Sequence, residues 1–230
     1  MLGPHGGTGL SAIGGTIRVG ELAPSGSINH ALKLELAARE YYHRSNATAC
    51  HRWPAMPYDH CPEYGGTNEE IQPGSLLAVL PALSATLEAQ LSSVPALKLL
   101  RALTDYGGYL VDDSSANRGT FVAEPAVVDE VNELYGFPLY YVWPPSNKTK
   151  THCNVSKTPC RRDCCAAPPC GCNRTAHDEF FTDMLAVFQA LHVVTNSGPE
   201  AIGGGGKRRR PPAAPLCPLK TDDVPVYSYL

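Results

Sequence analysis

The fold is decided by the stretch Ile28-Asn-His-Ala-Leu-Lys-Leu-Glu-Leu36, in which apolar and polar residues alternate towards the end. A period of two is typical of a β-strand that buries one face. The stretch Thr16-Ile-Arg-Val-Gly-Glu-Leu22 predicts a second strand, and the turn Pro24-Ser-Gly26 predicts that the two strands pair. A helix that continues through Ala37 and Ala38 is the alternative for the first stretch, because Ala, Leu, Lys and Glu are good helix formers.

Short strands and helices follow along the chain without regular alternation. Strands are predicted at residues 74–80, 109–111 and 137–143, and helices at 94–103, from 125 to 136 and at 180–191. Pro95 and Pro125 fit the first turns of two of these helices, and glycines at 107, 108 and 136 fit their ends. The mixture predicts an α+β fold, with a mainly antiparallel, sandwich-like sheet and about three packed helices.

Length and charge narrow the class of protein. The chain has 230 residues, with 19 basic and 22 acidic side chains and a net charge of −3. This balance argues against a general nucleic-acid binder or a protein of anionic membrane surfaces. No apolar stretch is long enough to predict a membrane span. We expect a single globular domain over residues 1–206, with an insertion at 147–175 and a basic, proline-rich tail at 207–230.

Cysteines and glycosylation sequons predict the compartment. Six of the nine cysteines cluster in the insertion: Cys153, Cys160, Cys164, Cys165, Cys170 and Cys172. Asn-x-Ser/Thr sequons occur at Asn46, Asn147, Asn154 and Asn173. Zinc binding is the alternative use of the clustered cysteines, but their spacing contains no paired Cys-x₂-Cys pattern. The sequence therefore predicts a secreted or cell-surface glycoprotein with N-linked glycans and a disulfide-rich insertion.

Cys50 and Cys61 lie apart from that cluster, in an irregular aromatic segment that they could staple to itself. With Cys217 the count is odd, which predicts either a pairing partner outside this chain or one free thiol. The first residues do not have the pattern of a secretory signal peptide. We therefore expect the chain to be a fragment of a longer precursor, or the product of a gene model that starts too late.

Candidate catalytic residues lie near strand ends. His30 shares the apolar face of the predicted strand, where a core histidine is the alternative to a catalytic one, and Lys33 would face the other side. Asp112 and Asp113 follow a buried strand, where acidic residues either act as acid and base or solvate a turn. Glu21 is a further candidate general acid, unless a bulge at Gly20 turns it outwards or Arg18 pairs with it.

The aromatic segment offers groups that bind sugars. Trp53, Tyr58 and Tyr64 supply ring faces, and Asn68 supplies an amide. The alternative is that these rings pack the segment onto the core. The run Gly7-Thr-Gly9-Leu-Ser-Ala12 matches a relaxed dinucleotide fingerprint, but no strand is predicted before it, so we predict no cofactor and no metal.

Six segments together resemble a group of secreted, uncharacterised proteins of bacteria and green algae. They are residues 5–22, which contain His-Gly-Gly-Thr-Gly-Leu-Ser-Ala-Ile-Gly-Gly-Thr-Ile-Arg-Val-Gly-Glu-Leu, 28–33, 52–54, 64–68, 105–113 and 190–196, which contain Ala-Leu-His-Val-Val-Thr-Asn. The resemblance implies a secreted domain over roughly residues 5–206 and lends no catalytic residue. The sequence hypothesis is a protein that acts on extracellular polysaccharide. As an enzyme it would cleave the polysaccharide, with Asp112 or Asp113 and His30 in acid and base roles. The alternative is non-catalytic carbohydrate binding or a matrix role.

Overall fold

A computed structural model describes residues 8–45, 50–56, 61–114, 119–137, 139 and 174–200. Its five strands are β1 (Leu32–Leu36), β2 (Leu76–Val79), β3 (Gly108–Asp113), β4 (Thr120–Phe121) and β5 (Leu191–Val193). Its helices are α1 (Pro81–Glu88), α2 (Val94–Asp105), α3 (Pro125–Tyr135) and α4 (Arg174–Gln189), and a 3₁₀ turn spans Cys61–Glu63. The α+β prediction is confirmed, with four helices in the described residues rather than about three.

The strands form one mixed sheet in the order β4-β1-β3-β2-β5. The central pair, β1 and β3, is parallel, while β1–β4, β2–β3 and β2–β5 are antiparallel. Because every described strand belongs to this one sheet, the predicted sandwich is not confirmed. The long segment between β1 and β3, which includes α1 and α2, gives the chain room to return in the parallel direction.

The predicted strand at residues 16–22 and its pairing with the next strand are wrong. Only Ile17 makes a bridge, and its partner is Ala123. Gly20 has a φ of +88°, and a Cβ on Gly26 would lie 1.8 Å from the carbonyl oxygen of Gly20. These two glycines let the chain fold into a compact loop, so β1 begins only at Leu32 and pairs with β3 and β4 instead.

The limits of the helices agree more closely with the predictions, because a helix is started and ended by residues that lie within it or next to it. α2 and α3 start with Pro95 and Pro125 in their first turns, and Gly136 ends α3 in the left-handed conformation with a φ of +77°. α4 ends at Gln189, so the predicted extension through Leu191 is wrong, and that residue starts β5. Residues 138 and 140–143 of the predicted strand at 137–143 lie outside the described residues.

The core lies between the sheet and the helices. α2 packs against β2, α1 and α4. The buried side chains that join these layers include Leu34, Val79, Leu99, Leu103, Leu110 and Met184. Among the described residues, no helix combines the length and the apolar character needed to cross a membrane.

Asp183 joins α4 to the start of α2. Its carboxylate accepts hydrogen bonds from the backbone N–H groups of Ser92 (3.0 Å) and Ser93 (2.7 Å), and its side chain is buried. Asp183→Asn keeps the shape but leaves a weaker acceptor beside a helix start, so we expect a loss of about 1–2 kcal/mol in the free energy of unfolding. Urea denaturation measures it, with exposed Asp178→Asn on the same helix as a control that stays within about 0.5 kcal/mol.

Candidate functional site

A pocket of about 300 Å³ opens between the glycine-rich loop and one end of the sheet. Its walls are Leu10, Ser11, Gly14 and Gly15 of the loop, residues 30–33 at the start of β1, Pro54, and Tyr109 and Val111 of β3. All of these residues come from four of the six sequence segments quoted above: 5–22, 28–33, 52–54 and 105–113. The volume suits one or two sugar-sized groups more than a large ligand.

The loop wall is held in place by its own polar groups. The Ser11 hydroxyl oxygen accepts hydrogen bonds from the N–H groups of Ile13 and Gly14, at 3.3 and 3.1 Å. Gly15 has a φ of +80°, and a Cβ there would lie 2.9 Å from the carbonyl oxygen of Ala31. Thr8, which is buried, donates its hydroxyl hydrogen to the carbonyl oxygen of Val111 on β3. The pocket therefore has a fixed wall, built by close contact between the loop and the sheet.

Lys33 ties the same loop to β1. Its side chain is only 3% exposed, and its ammonium donates hydrogen bonds to the carbonyl oxygens of Ser11 and Ala12. Burial lowers the pKa of Lys33, and the nearby Glu35 carboxylate partly opposes this shift. Because β1 starts at Leu32, His30 lies before the strand, and the expectation that His30 and Lys33 would face opposite sides is wrong: both border the pocket.

His30 and Glu21 form a close pair beside the pocket. The His30 Nε2 lies 3.1 Å from each carboxylate oxygen of Glu21, and the side chains are 23% and 16% exposed. The His30 Nδ1 lies 2.9 Å from the carbonyl oxygen of Ala31, which can only accept, so Nδ1 carries a hydrogen. Glu21 is oriented by the backbone N–H of Arg18, at 2.8 Å. Nε2 is therefore the ring atom through which a proton can pass to or from Glu21.

Asp112 and Asp113 lie at the other end of the sheet. In the parallel β1–β3 pair, Leu32 is level with Gly108 and Leu36 with Asp113, so His30 is separated from both acids by roughly 15–20 Å. The Asp113 carboxylate accepts a hydrogen bond from the N–H of Ala38 at 2.8 Å, and Asp112 accepts one from the N–H of Asp113 at 2.9 Å. The structure thus does not bring the predicted histidine and acids into one cleft.

The aromatic segment divides into residues that face solvent and residues that pack inside. Trp53 is 42% exposed and directly precedes Pro54, which lines the pocket. Tyr64 is buried and packs edge-on against Tyr42, with ring centroids 5.4 Å apart, so it is a core side chain. Asn68 is exposed, and its side-chain oxygen accepts a hydrogen bond from the N–H of Glu70 at 3.0 Å. Tyr58 lies outside the described residues.

A disulfide joins Cys50 and Cys61, as the sequence predicts, with their Cα atoms 5.8 Å apart. It closes the segment that carries Trp53 and Pro54. The other predicted disulfide cysteines lie outside the described residues: Cys153, Cys160, Cys164, Cys165, Cys170 and Cys172. The predicted glycosylation sites Asn46, Asn147, Asn154 and Asn173 lie outside them too.

No protein-family model, no curated protein and no solved structure matches this chain. Sequence reasoning named His30 and Glu21 separately and missed their contact, because the contact depends on the loop that Gly20 and Gly26 form. The glycine at position 20, directly before the acid, was the available signal.

Proposed function

We propose that the protein acts on an extracellular polysaccharide with acidic sugars, bound in the pocket between the glycine-rich loop and β1. The observation that carries the proposal is that two basic residues line the pocket: His30, which is paired with Glu21, and Lys33, whose ammonium is held at the loop wall by the carbonyl oxygens of Ser11 and Ala12. Within the described residues, no carboxylate lines the pocket itself. Basic groups on a partly enclosed wall favour an anionic ligand, since the low-dielectric surroundings strengthen their field.

Two further features support a sugar as the ligand and the cell exterior as the place. The exposed ring of Trp53, next to pocket-lining Pro54, offers an apolar face of the kind on which sugar rings stack. The disulfide between Cys50 and Cys61 is consistent with an oxidising, extracellular compartment. The proposed chemistry is proton transfer by the His30–Glu21 pair, in which His30 Nε2 and the Glu21 carboxylate share the transferred proton.

Binding is tested with acidic polysaccharides and their esterified forms. Polygalacturonate, alginate and hyaluronate are titrated into the full chain by calorimetry, each beside its methyl-esterified counterpart, which has the same backbone without the charge. We expect at least one acidic polymer to bind about 10-fold more tightly than its ester at low salt. Trp53→Ala should weaken that binding by about 3- to 10-fold. Equal binding of acid and ester, or no binding by any polymer, would overturn the proposal.

Cleavage is tested by replacing the proposed proton carrier. His30→Gln keeps a polar side chain of similar reach without a titrating ring, so we expect cleavage of the bound polymer to fall about 10²- to 10⁴-fold. Binding should change by only a few fold. His192→Gln, at an exposed position of β5, is the matched control and should leave cleavage unchanged. Asp112→Asn and Asp113→Asn should also retain cleavage, and a loss there with full activity in His30→Gln would return the catalytic role to the acids.

The second candidate is a binding protein without catalysis. It is favoured because both candidate acids already accept backbone hydrogen bonds: Asp113 from the N–H of Ala38, and Asp112 from the N–H of Asp113. It predicts that acidic polymers bind, that Trp53→Ala weakens binding, and that none of the bound polymers gains new chain ends on prolonged incubation.

A further inference from the structure

Three potential metal ligands meet at the start of the segment that carries Trp53 and Pro54. The sulfur atoms of Cys50 and Cys61 and one ring nitrogen of His51 all lie within 4.8 Å of one another. The Cys50 Sγ and the His51 Nδ1 are 3.7 Å apart. In a tetrahedral zinc site, bonds of about 2.3 Å to sulfur and about 2.0 Å to nitrogen place such ligand atoms about 3.6 Å apart. Cys50 and His51 are therefore already spaced as two ligands of one ion.

Backbone hydrogen bonds fix both parts of this cluster independently of the sulfur–sulfur bond. Directly after His51, the N–H of Arg52 donates to the carbonyl oxygen of Pro73 at 2.9 Å. Cys61 opens a 3₁₀ turn, and its carbonyl oxygen accepts the N–H of Tyr64 at 3.1 Å. Both cysteines are buried in the core, at 0% and 4% exposure. We therefore expect the two thiols to stay close to each other and to His51 when the disulfide opens.

We propose that Cys50, His51 and Cys61 bind a divalent zinc-like ion in the reduced protein, and that the disulfide is the oxidised state of the same site. Two thiolates and an imidazole favour zinc over magnesium or calcium, which prefer oxygen ligands. The three residues supply three of four tetrahedral positions, and a water molecule completes the set. The site is separate from the polysaccharide pocket and does not depend on the function proposed for it.

A dithiol is the reductant that converts the disulfide state into the metal-binding state. One thiolate of the dithiol attacks a sulfur of the Cys50–Cys61 bond and forms a mixed disulfide, and its second thiol then displaces the protein sulfur. The dithiol leaves as a cyclic disulfide, oxidised by two electrons, and both cysteines are left as thiols. Metal binding then releases the two thiol protons to solvent and needs no further oxidant or reductant.

Cobalt titration of the full chain tests the site. The protein is reduced with a dithiol under nitrogen, desalted and titrated with Co²⁺, whose absorption reports thiolate ligation, and bound cobalt is then displaced with Zn²⁺. Because the chain has nine cysteines, cobalt binding is compared between two proteins. Reduced wild type should bind one more equivalent of cobalt than reduced Cys50→Ser/Cys61→Ser. Wild type with the Cys50–Cys61 disulfide intact should lack that equivalent.

A second variant keeps both cysteines and the disulfide, so it tests the metal site even if the double variant does not fold. His51→Asn should weaken the additional equivalent at least 10-fold, while His192→Asn, at an exposed position, should leave it unchanged. Equal metal binding by wild type and the double variant, or by wild type and His51→Asn, would overturn the proposal and leave Cys50–Cys61 as a disulfide only.

Discussion

Gly74→Ala is expected to lower the free energy of unfolding by about 3–5 kcal/mol. Gly74 precedes β2 with a φ of +88°, a conformation that costs an L-residue about 1–2 kcal/mol. An added Cβ would also lie 1.9 Å from the carbonyl oxygen of Arg52 and 2.7 Å from the Cβ of Ala55. The backbone of residues 52–55 would have to move, and with it Pro54 at the pocket wall. Urea denaturation measures the stability, and the polysaccharide titration measures the effect on the pocket.

Gly20→Ala separates the two causes of that loss. Gly20 has the same φ of +88°, but an added Cβ would meet nothing within 4 Å. This control should therefore show the conformational cost alone, about 1–2 kcal/mol, and the difference between the two variants measures the close approach of Arg52 to Gly74. Equal losses in the two variants would show that the contact with the 52–55 segment does not constrain the fold.

The parts of the fold that could be predicted are those whose cause lies within a few residues. The limits of α2 and α3 follow from a proline in the first turn and a glycine near the end, and Gly136 takes the left-handed conformation that such a helix end favours. β2 and β3 follow from short apolar runs next to turn residues. In each case, the residues that determine the element are also the residues that form it.

The pairing of the strands could not be predicted from such local residue patterns. The segment at 16–22 has the alternation of a strand, but Ile17 bonds backbone groups of Val122 and Glu124, more than 100 positions away. The competing local hairpin would need the chain to extend through Gly20 and Gly26, which instead fold it back on itself. Alternation indicates which face a strand buries but carries no information about which strand lies beside it.

The candidate site was only partly predictable from the sequence, because contacts between separate segments form it. His30 was identified as a candidate from its position, yet its partner Glu21 comes within 3.1 Å only because the loop folds. Asp112 and Asp113 were correctly located at a strand end, but the parallel β1–β3 pairing puts that end far from His30. Of the aromatic residues, Trp53 is exposed and Tyr64 is buried, a difference that their composition and spacing do not encode.

Stability at alkaline pH should be limited by Tyr42. Its ring is fully buried, and its hydroxyl donates a hydrogen bond to the carbonyl oxygen of Asp112 at 2.7 Å. Burial raises the pKa of Tyr42 well above 10.0, a hydrogen bond with the backbone of Leu36 partly opposes this shift, and the nearby Tyr64, Asp113 and Asp112 add to it. Above pH 10 the unfolded chain loses this proton and the folded chain keeps it, so the free energy of unfolding falls with rising pH, by up to about 1.4 kcal/mol per pH unit from this residue.

Tyr42→Phe should remove that dependence. At pH 7 the variant loses a buried hydrogen bond, so it should be about 1 kcal/mol less stable than wild type. Between pH 10 and 11 wild type loses stability through Tyr42 and the variant does not, so the two should become equally stable near pH 11.

The control is Tyr135→Phe. The Tyr135 ring is half-buried, and its hydroxyl donates an equally short hydrogen bond to the carbonyl oxygen of Leu22, which the variant lacks. The pKa of Tyr135 is raised as well, by burial and then by Glu130, but less than that of Tyr42. Its difference from wild type should therefore shrink less with pH, and curves for Tyr42→Phe and wild type that stay parallel to pH 11 would contradict the assignment.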